Sequence, residues 1–525
     1  MKPLLISAAL ASCLLAGCSM EPTYQRPAMP VPDRFPANAP TPPTAAEAQA
    51  DAVSPDWHQF FKDPVLQRLI EIGLGNNRDL RVAAANMAEA RANYGVARAS
   101  LFPEIDLQGY AGRQRLPAQS QQPANGLLGP IQNNNTKAST FNTFQVQAGM
   151  TSYELDFFGH QRAIAHESGK LAEASAADYE AARIALIGEV ADAYLALNAD
   201  RALLQLAQQT MDTQTQHAQV MNKAYTDGGV SEFDMRRSQT QADAARVDVE
   251  NMHIHIAKDI NAMAVLIGQP LPANYSAAGP WQDPLLTDVP AGLPSSLLDR
   301  RPDIIAAEDR LRAANADIGR ARAAFFPNIA LTAVLGTLSG GLSNLFGAGS
   351  SAWNGAVAGS VPLLDWGKNK NGLAASKAGY SGAVAAYEGT VQEAFREVAD
   401  ALAVRDHIVP ELKAQQALVD QSQRVFTISQ VRFKEGLDDY ISSQDAQRSL
   451  YNDQQKLVGL KLDQAVNQVN LYKALGGGWN QAASAKATAL VSPRRQYQLA
   501  STGGTSNSAT ASLASGRMPS PPSPR

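Results

Sequence analysis

The chain has almost no cysteine. Of 525 residues only Cys13 and Cys18 are cysteine, both at the extreme N-terminus, so neither a disulfide nor a thiolate metal site is available to the rest of the chain. Charge of one sign is lacking too. Lys and Arg number 45 against 49 Asp and Glu, which removes the electrostatic case for a nucleic-acid partner. Hydrophobic residues make up 45%, yet no uninterrupted apolar run reaches 18 residues, which excludes transmembrane helices. The 7 histidines are scattered, and His253 and His255, two apart on an expected helix, face different ways. No metal and no cofactor is expected. Catalytic motifs are missing as well: there is no Walker-type loop, no Gly-x-Ser-x-Gly and no Cys-x-x-Cys. His166-Glu167-Ser168-Gly169-Lys170 opens like a zinc-protease motif but carries Lys where the second His must stand. An enzyme is not expected.

What is there begins with an address. Met1-Lys2 is a short charged segment, Leu4 to Leu15 is an apolar stretch too short to span a bilayer, and Leu15-Ala16-Gly17-Cys18 looks like a lipobox. Residues 1–17 are then a lipoprotein signal peptide, and Cys18 is the lipidation site. One acyl chain anchors only marginally, at about 0.8 kcal/mol per buried CH₂, and lipoproteins of this type carry several. Ser19 follows, rather than the Asp that would suggest retention at the inner membrane. Pro22, Pro27, Pro30, Pro32, Pro36, Pro40, Pro42 and Pro43 then exclude a helix or a central strand. Residues 18–55 are expected to form an extended tether.

The body is written twice. Ala97-Arg98-Ala99-Ser100-Leu101-Phe102-Pro103 matches Ala321-Arg322-Ala323-Ala324-Phe325-Phe326-Pro327 at an offset of 224, and Gly268 matches Gly476 at 208. Leu155-Asp156-Phe157-Phe158-Gly159 matches Leu364-Asp365-Trp366-Gly367. This spacing is too long for a solenoid repeat and marks a duplicated half-molecule. The halves are placed at 56–270 and 295–478, with a connector at 271–294 and a disordered, Ala/Ser/Gly/Thr/Pro-rich tail at 479–525.

Each half holds a helix, a pair of strand-like segments and long helical arms. Helical periodicity runs from Pro64 to Ser100, broken near Gly73 to Asn77, and again from Pro302 to Ala324. Alternation marks strands at Glu104 to Gly112, Phe144 to Thr151, Ile329 to Thr337 and Trp353 to Leu363, with Arg113 to Thr143 read as a long loop. Such strands suit a transmembrane β-barrel. Four cannot close one, and open edges are not tolerated in lipid, so several chains must share it. Gly159 to Gly229 and Gly367 to Gly436 read as long arms, followed by return arms Val230 to Gly268 and Leu437 to Gly476. Tyr380, Val384, Tyr387, Val391, Phe395, Val398 and Leu402 step by 3 and 4 along the second long arm, as do Tyr179, Ile187, Val190, Tyr194 and Leu197 broadly along the first, a coiled-coil-like seam. Arms of about 70 residues reach roughly 100 Å, far beyond a bilayer, and must project into an aqueous compartment.

The wording of the second half, LLDRRPDI with Ala307-Glu308, Asn315-Ala316-Asp317-Ile318-Gly319 and Phe325-Phe326-Pro327-Asn328-Ile329, closely resembles the TolC-like outer membrane factors, nearest their NodT/OprM-like lipoprotein branch. The resemblance covers roughly residues 18–480. It implies a mainly α fold with a transmembrane barrel: a homotrimer of twelve strands, four per chain, continued by a helical coiled-coil tunnel in the periplasm. It implies that the first helix of each half fills the length the short return arm leaves unpaired. It implies a periplasmic adaptor, an inner-membrane pump and outer membrane lipids as partners, in a Gram-negative tripartite efflux system exporting drugs, aromatic compounds, dyes or metal ions. The outer membrane component of a type I protein secretion system is the alternative. A self-sufficient porin would need more strands, and a non-transporting periplasmic coiled-coil scaffold would need no strands.

Function then falls on the turns between the arms. Gly supplies the positive φ that ends a helix, and Ser231 or Asp438 can cap the next. By the resemblance Asp234, Ile441 and Asp445 are candidates for a periplasmic gate, where three-fold repetition makes a cation-attracting constriction. Gly229, Arg236, Gly436 and Asp439 are candidate tip contacts for the adaptor. Asp438 stands where TolC itself has an arginine, so the tip ion-pair lock of that protein is not expected.

Overall fold

The computed structural model describes residues 19–32, 35, 56–118, 120–123, 130–133, 137–272 and 295–478. The expected signal peptide, Cys18, most of the expected tether beyond Pro32, the expected connector from 273 and the expected tail from 479 lie outside them.

The first half runs α1 (Trp57–Phe60), α2 (Pro64–Asn76), α3 (Arg78–Ala99), β1 (Asp106–Leu116), β2 (Ser120–Pro123), β3 (Pro130–Asn133), β4 (Ser139–Glu154), α4 (His160–Thr226) and α5 (Glu232–Ile267). A 3₁₀ turn at Ser295–Arg300 opens the second half, which runs α6 (Pro302–Ala323), β5 (Asn328–Ser339), β6 (Ser351–Ser360), α7 (Lys368–Lys434) and α8 (Tyr440–Ala474). The duplication is exact in its long arms: α4 and α7 each hold 67 residues. Each starts behind a left-handed glycine, Gly159 at φ 78° or Gly367 at φ 86°, a conformation glycine adopts without steric cost. Among the described residues no helix is long and apolar enough to cross a membrane.

The strands form one antiparallel sheet in the order β1-β4-β5-β6, with β2 and β3 as a separate hairpin. Register places Leu107 opposite Ala148, Ala148 opposite Leu335, and Leu335 opposite Trp353. This row crosses all four strands on one face, with Leu107 77%, Leu335 64% and Trp353 77% exposed. One residue along, on the other face, Gln147 donates to Gln108 at 3.2 Å and Gln145 donates to Gln147, with Gln145 and Gln147 buried. The bare row is therefore apolar, while the other face buries the polar Gln145 and Gln147 together with Val334 and Leu116; a bare apolar face backed by polar side chains is the pattern of a barrel wall facing lipid. Strands approach closely at two glycines. A Cβ on Gly336 would lie 2.2 Å from the Val146 carbonyl, and one on Gly149 would lie 2.2 Å from that of Ala333.

The stretch expected as a loop from Arg113 to Thr143 is largely strand. β1 extends to Leu116, β4 starts at Ser139, and β2 pairs β3 between them. In the added parts of β1 and β4 polar residues follow one another, Arg113-Gln114-Arg115 and Ser139-Thr140, so the apolar alternation that reveals a strand is missing while the ladder continues.

The arms pack by the expected seam. Ile187, Val190, Tyr194 and Leu197 of α4 and Tyr387, Val391 and Val398 of α7 are fully buried. Phe60 from α1 stacks on Tyr472 of α8 at 4.4 Å. The unequal arm lengths are reconciled by stacking helices end to end. α3 and α6 pack along α4, and α6 also lies along α7. At the break between α3 and α5, Asn77 caps α3 and donates from Nδ2 to the Leu266 carbonyl at 2.9 Å. At the break between α6 and α8, Arg301 donates to the Ala474 carbonyl at 3.0 Å. A cavity of about 520 Å³ opens beside this second break.

The expected tether is not free over its described part. Residues 19–32 run along α6 as a strap. Arg322 donates to the Met20 carbonyl at 3.3 Å, Asn315 to the Pro22 carbonyl at 2.8 Å, and Tyr24 to Glu308 at 3.3 Å. Arg26 pairs with Asp299 at 2.7 Å and donates to the Tyr387 hydroxyl at 3.1 Å. Proline fixes φ and removes donors, which leaves side chains and carbonyls to make these contacts. Gly319 makes room for the strap, because a Cβ there would lie 2.9 Å from the Glu21 Cα. Phe35 stacks on Phe395 at 4.7 Å.

Candidate functional site at the helical tips

Both arm turns use the same backbone device, one residue away from the expected alignment of Gly229 with Gly436. The left-handed residues are Gly228 at φ 75° and Gly436 at φ 70°. Gly229 then donates to the Ala224 carbonyl at 2.7 Å as Leu437 donates to that of Arg432 at 2.8 Å, closing the last helical turn in both cases. Gly229 thus corresponds to Leu437, not to Gly436.

Ser231 caps α5 as expected. Its hydroxyl accepts from the Asp234 amide at 3.1 Å and donates to the Asp234 carboxylate at 2.6 Å, a reciprocal cap. For α8 the expectation of Asp438 is corrected: Asp439 caps it, accepting from the Ser442 amide at 2.9 Å. Asp438 is occupied by Arg432, which reaches both its oxygens at 2.6 and 3.0 Å. Hydrogen bonding from Arg432 holds the Asp438 carboxyl below its ordinary range, and the Ser442 backbone amide does the same for Asp439. An ion pair thus exists at this tip, but within one turn of one chain.

Asp445 is exposed and accepts from Arg448 at 3.1 Å, one turn along its own helix. Asp234 is half-buried by its cap, and Arg236 meets Glu232 at 3.4 Å. Ile441 is 38% exposed. It stands two residues past its cap Asp439 as Phe233, 71% exposed, stands two past Ser231. The structure therefore keeps every candidate at the two tips, each acid held by its own helix, with apolar side chains open beside them.

The residues joining the two tips were not legible in the sequence. His217 of α4 lies with Nε2 3.3 Å from the amide nitrogen of Gln430 on α7, and its ring is 6.2 Å from that of Tyr440 on α8. Near it Gln214 donates to Gln447 at 2.9 Å. Isolated Gln and His on helical faces carry no motif, and only the pairing of the arms brings them together.

An antiparallel four-stranded share of a lipid-facing wall, continued by paired helical arms with polar tips, defines a class of membrane channel. The chain matches the family model described as outer membrane efflux protein over residues 69–269 and 293–477, and it belongs to that family. Among its relatives, the toluene efflux pump outer membrane protein TtgC of Pseudomonas putida is 39% identical over 475 residues, covering 90% of this chain and 96% of that one. Outer membrane protein OprJ of Pseudomonas aeruginosa is 37% identical over 481 residues, covering 91% and 97%. Among solved structures, a membrane protein from Pseudomonas aeruginosa superposes with a TM-score of 0.79 at 35% identity, covering 87% of this chain and all of that one. The open state of the Neisseria gonorrhoeae MtrE outer membrane channel gives 0.72 at 32% identity, covering 88% and 98%. The protein is thus an outer membrane channel of an efflux system, with its helical arms in the periplasm, in a family of ducts.

Proposed function

We propose that three copies of the chain close a single twelve-stranded barrel and form the passive exit duct of a tripartite pump that expels toxic small molecules. The observation that carries this reading is the exposed row Leu107–Ala148–Leu335–Trp353 across a sheet with two bare edges, β1 and β6. Lipid does not tolerate such edges, and repetition of the chain removes them. An inner-membrane pump supplies the energy, and a periplasmic adaptor docks at the tips on surfaces that include Gly229, Arg236, Gly436 and Asp439. Asp234, Ile441 and Asp445 constrict the entrance. Cys18, after removal of residues 1–17, carries the lipid that fixes the strap to the outer membrane. Residues 56–270 and 295–478 act as two structural repeats joined by a connector.

Relatives named for toluene, solvent and antibiotic efflux support organic solvents and antibiotics as cargo. Disrupting the gene should raise susceptibility to both, and the wild-type chain should restore resistance. Unchanged susceptibility, with a secreted protein retained in the cell instead, would point to type I protein secretion.

A further inference from the structure

His217 ties the first half of the molecule to the second at the tip. Its own helix, α4, belongs to one arm pair, while Gln430 on α7 and Tyr440 on α8 belong to the other. With the Gln430 amide nitrogen turned to the ring, as placed, Gln430 donates and His217 Nε2, 3.3 Å away, accepts, an arrangement that requires the neutral ring with its proton on Nδ1. Tyr440 is in turn fixed by Gln444, which donates to its hydroxyl at 2.7 Å, and by the ring of Phe433 at 5.6 Å. The knot is thus made of neutral groups. Among the described residues, the charged group acting on the imidazole is Lys434 of α7, a cation. From α5, Arg237 bears on Tyr440, adding a second cation to the surroundings.

We propose that the His217–Gln430–Tyr440 knot is a proton-sensitive latch that holds the α4–α5 tip against the α7–α8 tip and releases it in acid. Protonation puts an N–H where the Gln430 amide already donates, and adds a third cation beside Lys434 and Arg237. Burial, and then Lys434, hold the imidazole below its ordinary value. The sign follows: the latched form binds the proton more weakly than a water-exposed ring, so the latch is intact above about pH 6.5 and weakens as pH falls below it. Each unit of difference between latched and released ring changes their ratio by about tenfold per chain. The proposal rests on the reading of the tips as the duct's entrance, and it names the regulation of that entrance.

The test places spin labels at Val220→Cys on α4 and Ile428→Cys on α7, each 58% exposed, in the assembled protein, and measures their separation from pH 8 to pH 5. Single-channel conductance is recorded alongside. The latch predicts that the short separation gives way to a longer one below about pH 6.5, that conductance rises in the same window, and that His217→Gln and His217→Phe abolish both responses. His217→Phe retains a ring against Tyr440 and serves as the check that loss of response is not loss of fold; both variants should melt as the wild type does at pH 8. A separation that stays constant with pH, or lengthens equally in the variants, overturns the latch. Separation that lengthens through His217 without any change in conductance keeps the latch and overturns the tips as the entrance.

Discussion

Arg301 donates from Nη1 to the carbonyl of Ala474 at 3.0 Å, and Asn77 does the same to Leu266 at 2.9 Å. The donors are 224 residues apart and the acceptors 208, the same two offsets that relate the halves. One junction has therefore been kept through the duplication with a different side chain. Asn77 caps its helix and staples the break with one amide, accepting from Leu80 at 2.8 Å while donating to Leu266. Arg301 has no acceptor, so its staple needs help: Asp303 accepts from the Ile304 amide at 2.9 Å and, with Glu397 at 2.8 Å, neutralises the guanidinium.

Arg301 is 8% exposed, so truncation removes charge-assisted hydrogen bonds from a covered site. Arg301→Ala should destabilise by about 2–3 kcal/mol and Asn77→Ala by about 1–2 kcal/mol. Chemical denaturation of the detergent-solubilised protein, followed by helical circular dichroism, measures both; equal stability in all three proteins would remove the staple from the account.

Gly319 is the point where the strap crosses α6. Gly319→Leu should lift residues 19–32 off the helix while the arms remain folded, because the obstruction is the Glu21 backbone and not a flexible side chain. Limited proteolysis should then cut the strap of the variant faster than that of the wild type, with the arms equally resistant in both.

Asp259 on α5 faces Asp200 on α4, and burial, followed by the Asp200 carboxylate, pushes it up to about 6 from 3.8. A carboxyl whose folded value is raised binds its proton more tightly in the folded chain, so the pair weakens the arm progressively as pH rises from 3.8 to about 6, and the loss is complete above that. Asp259→Asn should therefore raise the melting temperature at pH 8 and raise it much less at about pH 4. A gain of the same size at both pH values would show that the carboxylate pair is not its origin.

Much of this architecture was legible because it rests on periodicity. Equal arms, the seam through Val190 and Val398, the Pro302 start of α6 and the strand at Phe144 all follow from spacing and backbone chemistry. Three things were not. The added parts of β1 and β4, at Arg113-Gln114-Arg115 and Ser139-Thr140, carry polar residues in succession, so no apolar alternation marks them. The strap at Tyr24 and Arg26 reads as a proline-rich tether because its partners lie 273 to 361 residues away. The equivalence of Gly228 with Gly436 needed dihedral angles, since two adjacent glycines offer the same letter twice. Of the tip residues, the sequence placed the acids and the Ser231 cap. For α8 it named Asp438 where Asp439 is the cap, because Arg432 takes both oxygens of Asp438 and no local motif shows that.

The most direct test of the central claim is single-channel conductance of the purified protein in a planar bilayer, at neutral pH, for the wild type, Asp445→Ala and Asp234→Asn. The asparagine keeps a carbonyl to accept from Ser231, so the α5 cap survives while the charge is lost. A duct closed at an acidic tip predicts a small conductance in the wild type, rising in each variant and most in the pair combined. Membrane-inserted protein that conducts in none of these forms would contradict the account.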